Sequence, residues 1–410
     1  MKKYYISRPI LSIMLCITFF LNLLTGCTDS ETPRHLAIVY AACQNNPVPM
    51  MNGQLYETIS DTAGIFDSTM SVFVADQSCY RAYYRRFESP NMTLSEAKRK
   101  QIIRGYTADA LSAIGKATAQ ADDVDLIGCI TQASRQLLTD KKDDEPADML
   151  IIASGLSTVY PLDFTNGYLF CEPEDVVDAL KEKQALPDLS FVESITWIGC
   201  GDVTEPQKKL SYAQVDRLKN IWKAVLEECG CKKVTFAPDI SDNNQREKSE
   251  HTVKTVDVGD FVDDDKKIDL KKVHYFADIE GGIKFRAFST EIVTDLEEVK
   301  KILEPYAEEL NSHPEESVVL AGMTDHYGAN DMSNMRFSMS RAAAVRKLFV
   351  AYFNVNPDQL IICGLGYTDH PWRFRDNTTG EEIKGANRAV IIVGTDTEAA
   401  ETFLRIGVRE

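Results

Sequence analysis

The sequence predicts two successive folded domains, a three-layer α/β domain and then a second domain that also contains strand and helix patterns. Between residues 34 and 240, short β-branched runs alternate with long helical stretches, as is typical of a mainly parallel sheet covered by helices. A polar, charged stretch separates this region from a second set of strand and helix patterns after residue 268. The length of 410 residues agrees with more than one domain, because single hydrophobic cores rarely grow beyond about 250 to 300 residues.

Residues 1–27 have the pattern of an export signal. Three basic residues within the first eight positions precede an apolar run from Ile10 to Leu24, which is shorter than a full bilayer span. The run ends at Leu24-Thr25-Gly26-Cys27, which resembles the lipobox of bacterial lipoproteins. The resemblance implies that Cys27 is the lipidation site, becomes the new N-terminus after cleavage and carries acyl chains that hold the protein to a membrane. The alternative is an uncleaved signal anchor with an incidental cysteine.

The charge of the chain excludes one class of partner. Asp and Glu total 62 against 45 Lys and Arg, which gives a formal net charge of -17. A polyphosphate backbone would repel such a chain, so we expect no nucleic-acid partner. Apolar residues at 44% and charged residues at 26% are ordinary for a globular protein that folds in water.

Eight cysteines remain once Cys16 in the signal and Cys27 are set aside. An even number in an exported protein leaves disulfides open. Several of them, however, follow apolar strand-like or helical stretches, where cysteine acts as a small buried hydrophobic residue; examples are Cys129, Cys200 and Cys363. The sequence therefore favours mostly free, buried thiols.

The first domain is predicted to contain five strands and four helices. The strand-like runs are His35 to Ala42, Met70 to Ala75, Met149 to Ala153, Ile195 to Ile198 and Val234 to Ala237. The helical stretches are Leu94 to Lys116, Val124 to Leu138, Pro173 to Lys183 and Tyr212 to Glu228. Alternation of this kind indicates parallel strands joined by helical crossovers.

Residues 33–240 resemble the von Willebrand factor A-like domains found beside cell-wall-binding modules in bacteria. The resemblance rests on Asp148-Met-Leu-Ile-Ile-Ala-Ser-Gly-Leu-Ser157, on Tyr160-Pro-Leu-Asp-Phe164 and on Ile198-Gly-Cys-Gly-Asp202. The metal sites of that family use carboxylates after the first and central strands. Here Asn45 and Asn46 follow the first strand and Ser154 follows the central one, so we expect no metal and no cofactor.

Residues 241–267 are polar and charged, which predicts a surface linker. The second domain is assigned to residues 268–396, and residues 397–410 to a C-terminal tail. Within the domain, a strand-like run lies at Gly282 to Phe285, a helix at Asp295 to Leu310 and a buried strand at Ser317 to Ala321. That last strand leads into Thr324 and Asp325.

A second helix of this domain places polar groups on one face. Asn334, Ser338, Arg341 and Val345 recur at helical spacing, so an amide, a hydroxyl and a guanidinium are expected to point towards the strand end that carries Asp325. A ligand bound there could meet both charges. The simpler interpretation is that Asp325 and Arg341 form an ordinary ion pair that stabilises the fold.

At these residues the chain closely resembles the OmpA-like peptidoglycan-binding domain. The matching elements, in order, are Thr324-Asp325 with Gly328; Asn334, Phe337, Ser338, Arg341 and Ala342; Gly364-Leu-Gly366 with Pro371; and Asn387-Arg388. The resemblance implies that Asp325 holds the ammonium of diaminopimelate in the peptide stem of peptidoglycan and that Arg341 grips its carboxylate. Thr324 and Asn334 complete the expected peptidoglycan-binding residues. The resemblance also implies the fold of the second domain, an α+β domain of βα units on a small mixed sheet.

Together these features predict an extracytoplasmic, lipid-anchored cell-envelope protein. The lipid anchor would lie in the outer membrane if the cell has one, and otherwise on the outer face of the cytoplasmic membrane. The second domain would bind peptidoglycan noncovalently, and the first would present an interaction surface to a protein partner that the sequence does not identify. No residue is nominated as catalytic. The alternatives are an envelope enzyme with its chemistry in the first domain and a structural component of a secretion or motility complex.

Overall fold

The computed structural model describes residues 32–48, 51, 53–88, 94–237, 250–258, 268–279, 282–326 and 332–409. The predicted signal, including Cys27, lies outside these ranges. Within them, no helix combines the length and the apolar character needed to cross a membrane.

The first domain is built on a six-stranded sheet in the order β3-β2-β1-β4-β7-β8. All neighbours are parallel except β3, which runs antiparallel to β2 at one edge. A separate antiparallel pair is formed by β5 and β6. The strands are β1 (His35–Tyr40), β2 (Thr69–Val74), β3 (Tyr80–Arg86), β4 (Ala147–Ile152), β5 (Thr158–Val159), β6 (Leu162–Asp163), β7 (Val192–Ile198) and β8 (Val234–Phe236).

Helices cover both faces of this sheet. Ala37 and Val39 of β1 belong to one core cluster and Leu36 and Ile38 to another, because alternate residues of a strand point to opposite faces. The helices are α1 (Gly53–Gly64), α2 (Glu96–Lys116), α3 (Leu126–Asp140), α4 (Pro173–Glu182) and α5 (Tyr212–Glu228). The sequence analysis did not predict α1 or β3. Strand β3 has no fully buried residue and so lacks the apolar run by which the other strands were identified.

The described part of the predicted linker, residues 250–258, packs on the first domain instead of extending into solvent. The backbone of Val253 exchanges two hydrogen bonds with the side-chain amide of Asn45, and the backbone of Val256 exchanges two with Gln207. Val253, Val256 and Val258 are buried in the main core of this domain. The segment therefore covers the carboxyl end of the sheet.

The second domain has a five-stranded mixed sheet in the order β13-β11-β10-β12-β9. Only β10 and β11 are parallel; the other neighbours are antiparallel. In chain order the elements are β9 (His274–Ala277), α6 (Leu296–Ser312), β10 (Val318–Met323), α7 (Met332–Phe353), β11 (Leu360–Gly366), β12 (Ala389–Gly394), α8 (Glu398–Ile406) and β13 (Val408–Arg409).

Two predictions for this domain need correction. The run at residues 282–285 contributes only an isolated bridge, from Phe285 to Ile292, and the edge strand is β9. The predicted C-terminal tail is folded in its described part: α8 packs on the sheet through Phe403, which is fully buried, and β13 pairs with β11.

The two domains share apolar packing. Four buried residues of the second domain belong to the main core cluster of the first: Ala277, Ile279, Ile383 and Ala386. The ring of Phe374 stacks on Phe170 with centroids 4.9 Å apart. Lys183 and Asp376 form an ion pair at 2.7 Å between side chains that are 14% and 4% exposed. Apolar contacts and a nearly buried ion pair thus hold the domains together.

The eight cysteines of the described residues are all buried and present as free thiols: Cys43, Cys79, Cys129, Cys171, Cys200, Cys229, Cys231 and Cys363. They lie within the cores, as their apolar sequence contexts predicted.

Candidate functional site

Close contact between α7 and the second sheet positions the site. A Cβ atom on Gly322 would lie 1.9 Å from the carbonyl oxygen of Ser338, and one on Gly364 would lie 1.9 Å from that of Met335. Only glycine permits this approach. The Ser338 hydroxyl, expected to face a ligand, is buried; it donates to Met335 O and accepts from the N–H of Gly366, both at 2.9 Å. It fixes the helix on the strand.

Asp325 lies two residues after β10, at the strand end that the sequence analysis predicted. Its Oδ2 accepts a hydrogen bond from the N–H of Gly385 at 3.0 Å and is 3.1 Å from Nε of Arg388. Its Oδ1 is buried and has no hydrogen-bond partner among the described residues. Burial raises the pKa of Asp325 from 3.8 to about 6, against the opposing effect of Arg388.

Arg341 lies on α7 and is nearly buried. Its Nη1 donates to Oδ2 of Asp278 at 2.8 Å, and its Nε donates to the carbonyl of Ser289 at 3.2 Å. The guanidinium lies over the rings of Phe285 and Phe337, 4.6 and 4.9 Å from their centroids. No described acceptor is hydrogen bonded to Nη2. Arg341 is therefore paired with Asp278, and the suggested ion pair with Asp325 is not observed.

All four predicted peptidoglycan-binding residues line one cavity of about 890 Å³: Thr324, Asp325, Asn334 and Arg341. Thr324 Oγ1 is buried and, like Oδ1 of Asp325, has no hydrogen-bond partner among the described residues. Buried polar atoms without partners are uncommon in native proteins. Two buried polar atoms without partners thus belong to residues that line the same cavity as the nearly buried Arg341.

Six further charged residues of the cavity were not assigned to the site from the sequence: Glu172, Asp175, Asp278, Lys284, Lys384 and Arg388. Asp278 precedes the second-domain helices, and Arg388, noted only as part of a motif, directly precedes β12. Glu172 and Asp175 come from the first domain, at the start of α4. Asp175 pairs with Arg388, and Glu172 pairs with Lys284 at 2.8 Å. The cavity is consequently formed by both domains.

The carboxyl end of the first sheet is where A-like domains that bind a metal ion carry their site. There, Oδ1 of Asn46 accepts hydrogen bonds from the N–H and the hydroxyl of Ser154 at 3.1 and 2.8 Å. The amide of Asn45 is engaged by residue 253. These oxygens already accept from N–H and O–H groups and carry no charge, so they do not fit a divalent cation.

Comparison with known proteins identifies the domain that carries the cavity. Residues 285–384 match the OmpA family. The chain therefore has a C-terminal OmpA domain, as the motifs around Asp325 and Arg341 predicted. No curated protein sequence matches the chain.

Among solved structures, the chain is similar to the peptidoglycan-associated lipoprotein from Burkholderia pseudomallei, with 24% identity, 26% of this chain and 82% of that chain covered, and a TM-score of 0.21. An outer membrane protein from Borrelia burgdorferi B31 is 22% identical, with 31% of this chain and 92% of that chain covered and a TM-score of 0.22. The conserved hypothetical protein BatB from Bacteroides thetaiotaomicron is 10% identical, with 52% of this chain and 93% of that chain covered and a TM-score of 0.27. With these TM-scores, the three structures carry no argument about function.

Proposed function

We propose that the OmpA domain binds peptidoglycan noncovalently by holding the diaminopimelate of its peptide stem in the cavity between Asp325 and Arg341. One observation carries the proposal: a carboxylate and a guanidinium line the same cavity of a domain that matches the OmpA family. A zwitterionic amino acid needs an anionic acceptor for its ammonium and a multidonor cation for its carboxylate.

The unused atoms of the cavity support these roles. Oδ1 of Asp325 and Oγ1 of Thr324 are buried and have no described partner, so each could accept a hydrogen bond from an ammonium once ligand entry turns its side chain towards the cavity. Nη2 of Arg341 could donate to a carboxylate while Nη1 stays on Asp278. Asn334 lies about two helical turns before Arg341 on α7 and adds an amide to the same cavity. The ligand would thus complete hydrogen bonding that the protein leaves incomplete.

The remainder of the proposal concerns the envelope. Acyl chains on Cys27 would hold the chain to a membrane, the outer one in a cell that has two, and the OmpA domain would reach the wall from there. We further propose that the first domain, which we interpret as A-like, presents a surface to a protein partner near the membrane.

We propose that the protein is not an enzyme. A strongly perturbed carboxylate or a reactive cysteine in a cleft of the first domain would favour the enzyme alternative. Burial raises the pKa of Cys43 to about 12, which keeps this thiol protonated at neutral pH and unreactive as a nucleophile. The carboxylate whose pKa rises to about 6, Asp325, lies instead in the OmpA domain.

The test is co-sedimentation of the full chain, purified in detergent, with sacculi that contain diaminopimelate. Asp325→Asn and Arg341→Lys should each weaken binding about tenfold or more, since a hydrogen bond to a charged group contributes roughly 1.5 to 3 kcal/mol. The controls are the same substitutions at exposed sites of the same domain, Asp358→Asn and Arg336→Lys. A folded Asp325→Asn or Arg341→Lys chain that pellets like wild type would refute the site.

A further inference from the structure

The first domain contributes fixed negative charge to the cavity of the OmpA domain. Asp175, in the first turn of α4, forms an ion pair with Arg388. A Cβ atom on Gly385 would lie 2.6 Å from Oδ2 of Asp175, so the two domains are in close contact at this point. The N–H of Gly385 is the group that donates to Asp325. Asp175 thus contacts both Gly385 and Arg388, the two residues that pair with Asp325.

The charges of the cavity balance only when both domains are counted. The OmpA domain lines it with two carboxylates and four cations, an excess of two positive charges; these are Asp278, Asp325, Lys284, Arg341, Lys384 and Arg388. Glu172 and Asp175 of the first domain bring two negative charges and cancel the excess. A balanced cavity suits a zwitterion, whereas one with two excess positive charges favours an anion.

The domain contact is too well packed to be incidental. Next to the cavity, Gly167 of the first domain lies against Phe374, where an added Cβ would come within 2.3 Å of the ring. Phe170 stacks on the same ring, and Cys171 donates from Sγ to the carbonyl of Lys384 at 3.3 Å. Separating the domains would expose these apolar groups to water. This packing therefore holds Asp175 at the cavity.

We propose, on the basis of the proposed function, that Asp175 is a positioning residue of the peptidoglycan site, so that the first domain strengthens ligand binding through this carboxylate. Asp175 shares Arg388 with Asp325, so that the guanidinium neutralises neither carboxylate completely. The carboxylate of Asp325 is then paired less tightly with Arg388 and stays available to the ligand's ammonium. Without Asp175, Arg388 would pair with Asp325 alone, and the ammonium would have to compete with it.

The pH midpoint of ligand binding depends on the pKa of Asp325. This midpoint should not change if Asp175 only holds the two domains together. Several charged or titratable groups act on its carboxyl: Arg388, Arg341, Glu382, Asp175 and Cys171. Of these, Arg388 lowers the pKa of Asp325, whereas Glu382 and Asp175 raise it. Without the charge of Asp175, one group that raises the pKa of Asp325 is lost, and Arg388 pairs with Asp325 alone. The pKa of Asp325 should therefore fall.

The experiment compares Asp175→Asn with Asp178→Asn in the full chain. Both substitutions lie on α4 and remove one carboxylate, but Asp178 is 73% exposed and does not line the cavity. Asp175→Asn should weaken binding to sacculi by about threefold or more, as expected for coupled charges. It should also shift the pH midpoint of binding to lower pH, while Asp178→Asn leaves both unchanged. Thermal melts of the variants establish that they are folded.

Two results would overturn the inference. Unchanged affinity and midpoint in a folded Asp175→Asn chain would make Asp175 a domain contact only. Tighter binding would mean that the first domain obstructs the site. Either result would leave the proposed function standing, because wild type would still bind sacculi and Asp325→Asn would still bind them more weakly. If wild type itself fails to bind, the proposed function fails, and the inference fails with it.

Discussion

Asp278 and Arg341 form an ion pair, with 2.8 Å between Oδ2 and Nη1, in which both side chains are less than a tenth exposed. The pair joins the edge of the sheet, just after β9, to the middle of α7. Oδ1 of Asp278 also accepts from the N–H of Phe285 at 2.7 Å. The group expected to grip a ligand carboxylate is thus already oriented by the protein before a ligand arrives.

Removing one member of this pair should destabilise the fold. Arg341→Ala leaves Asp278 buried without a counter-charge and should lower the free energy of unfolding by about 3 to 5 kcal/mol in urea denaturation. Asp278→Ala with Arg341→Ala should cost less than the sum of the single changes, because neither charge is then stranded. Arg336→Ala, exposed on the same helix, is the control. Additive losses in the double variant would contradict this account.

Stability should depend on pH through Asp325. Since burial raises its pKa from 3.8 to about 6, the folded chain binds a proton more tightly than the unfolded chain. The stability from this protonated carboxyl is present at about pH 4 and is lost as pH rises through about 6. Asp325→Asn removes the effect, so its unfolding free energy relative to wild type should rise by up to about 2 kcal/mol between pH 4 and 7.

A substitution with the opposite sign provides the control for this pH dependence. A hydrogen bond with Arg375 lowers the pKa of Asp369, which is exposed, so wild type gains stability from this pair as pH rises. The unfolding free energy of Asp369→Asn relative to wild type should therefore decline slightly with rising pH. Parallel pH profiles for the two variants would show that burial of Asp325 is not the cause.

Two glycine substitutions should change stability in opposite directions. Gly322→Ala forces a methyl group against the backbone of α7 at Ser338 and should destabilise the chain by about 1 to 3 kcal/mol or more. Gly105→Ala, at an exposed position within α2 with no atom within 4 Å of the new Cβ, should stabilise it by about 0.5 to 1 kcal/mol. Chemical denaturation measures both. Equal effects would contradict the close contact of α7 with β10.

The proposed anchor can be tested by labelling. Cys27→Ser removes the thiol that would accept the lipid, so palmitate incorporation and partition into detergent should both be lost. Cys16→Ser makes the same change within the signal and should leave both unchanged. Undiminished labelling of Cys27→Ser would reject the lipobox interpretation.

Local patterns revealed the site residues that neighbour each other along the chain. Thr324 and Asp325 end a buried strand, and Asn334 and Arg341 lie on one helix face, so strand and helix periodicity brought them together. Asp278 and Arg388 escaped the assignment because their contacts depend on the order of strands in the sheet: β9 reaches the site only by pairing with β12.

The role of α4 could not be predicted for a different reason. Its apolar positions indicated a helix packed on a sheet, but nothing in that periodicity shows which other domain its first turn meets. The polar composition of residues 241–267 suggested independent domains, whereas the packing of Phe170 on Phe374 depends on shape complementarity between surfaces distant in sequence. The Ser338 hydroxyl was misjudged because helical spacing gives a face and not the depth of burial.

The close contact between Gly385 and Asp175 limits which substitutions evolution can accept at either position. If Asp175 positions the site as proposed, the OmpA domain would lose part of its binding affinity when transplanted alone. A side chain at Gly385 or a larger residue at Asp175 would need a compensating change in the other domain. The two halves are therefore expected to be inherited as one unit, with paired substitutions at these positions among homologues.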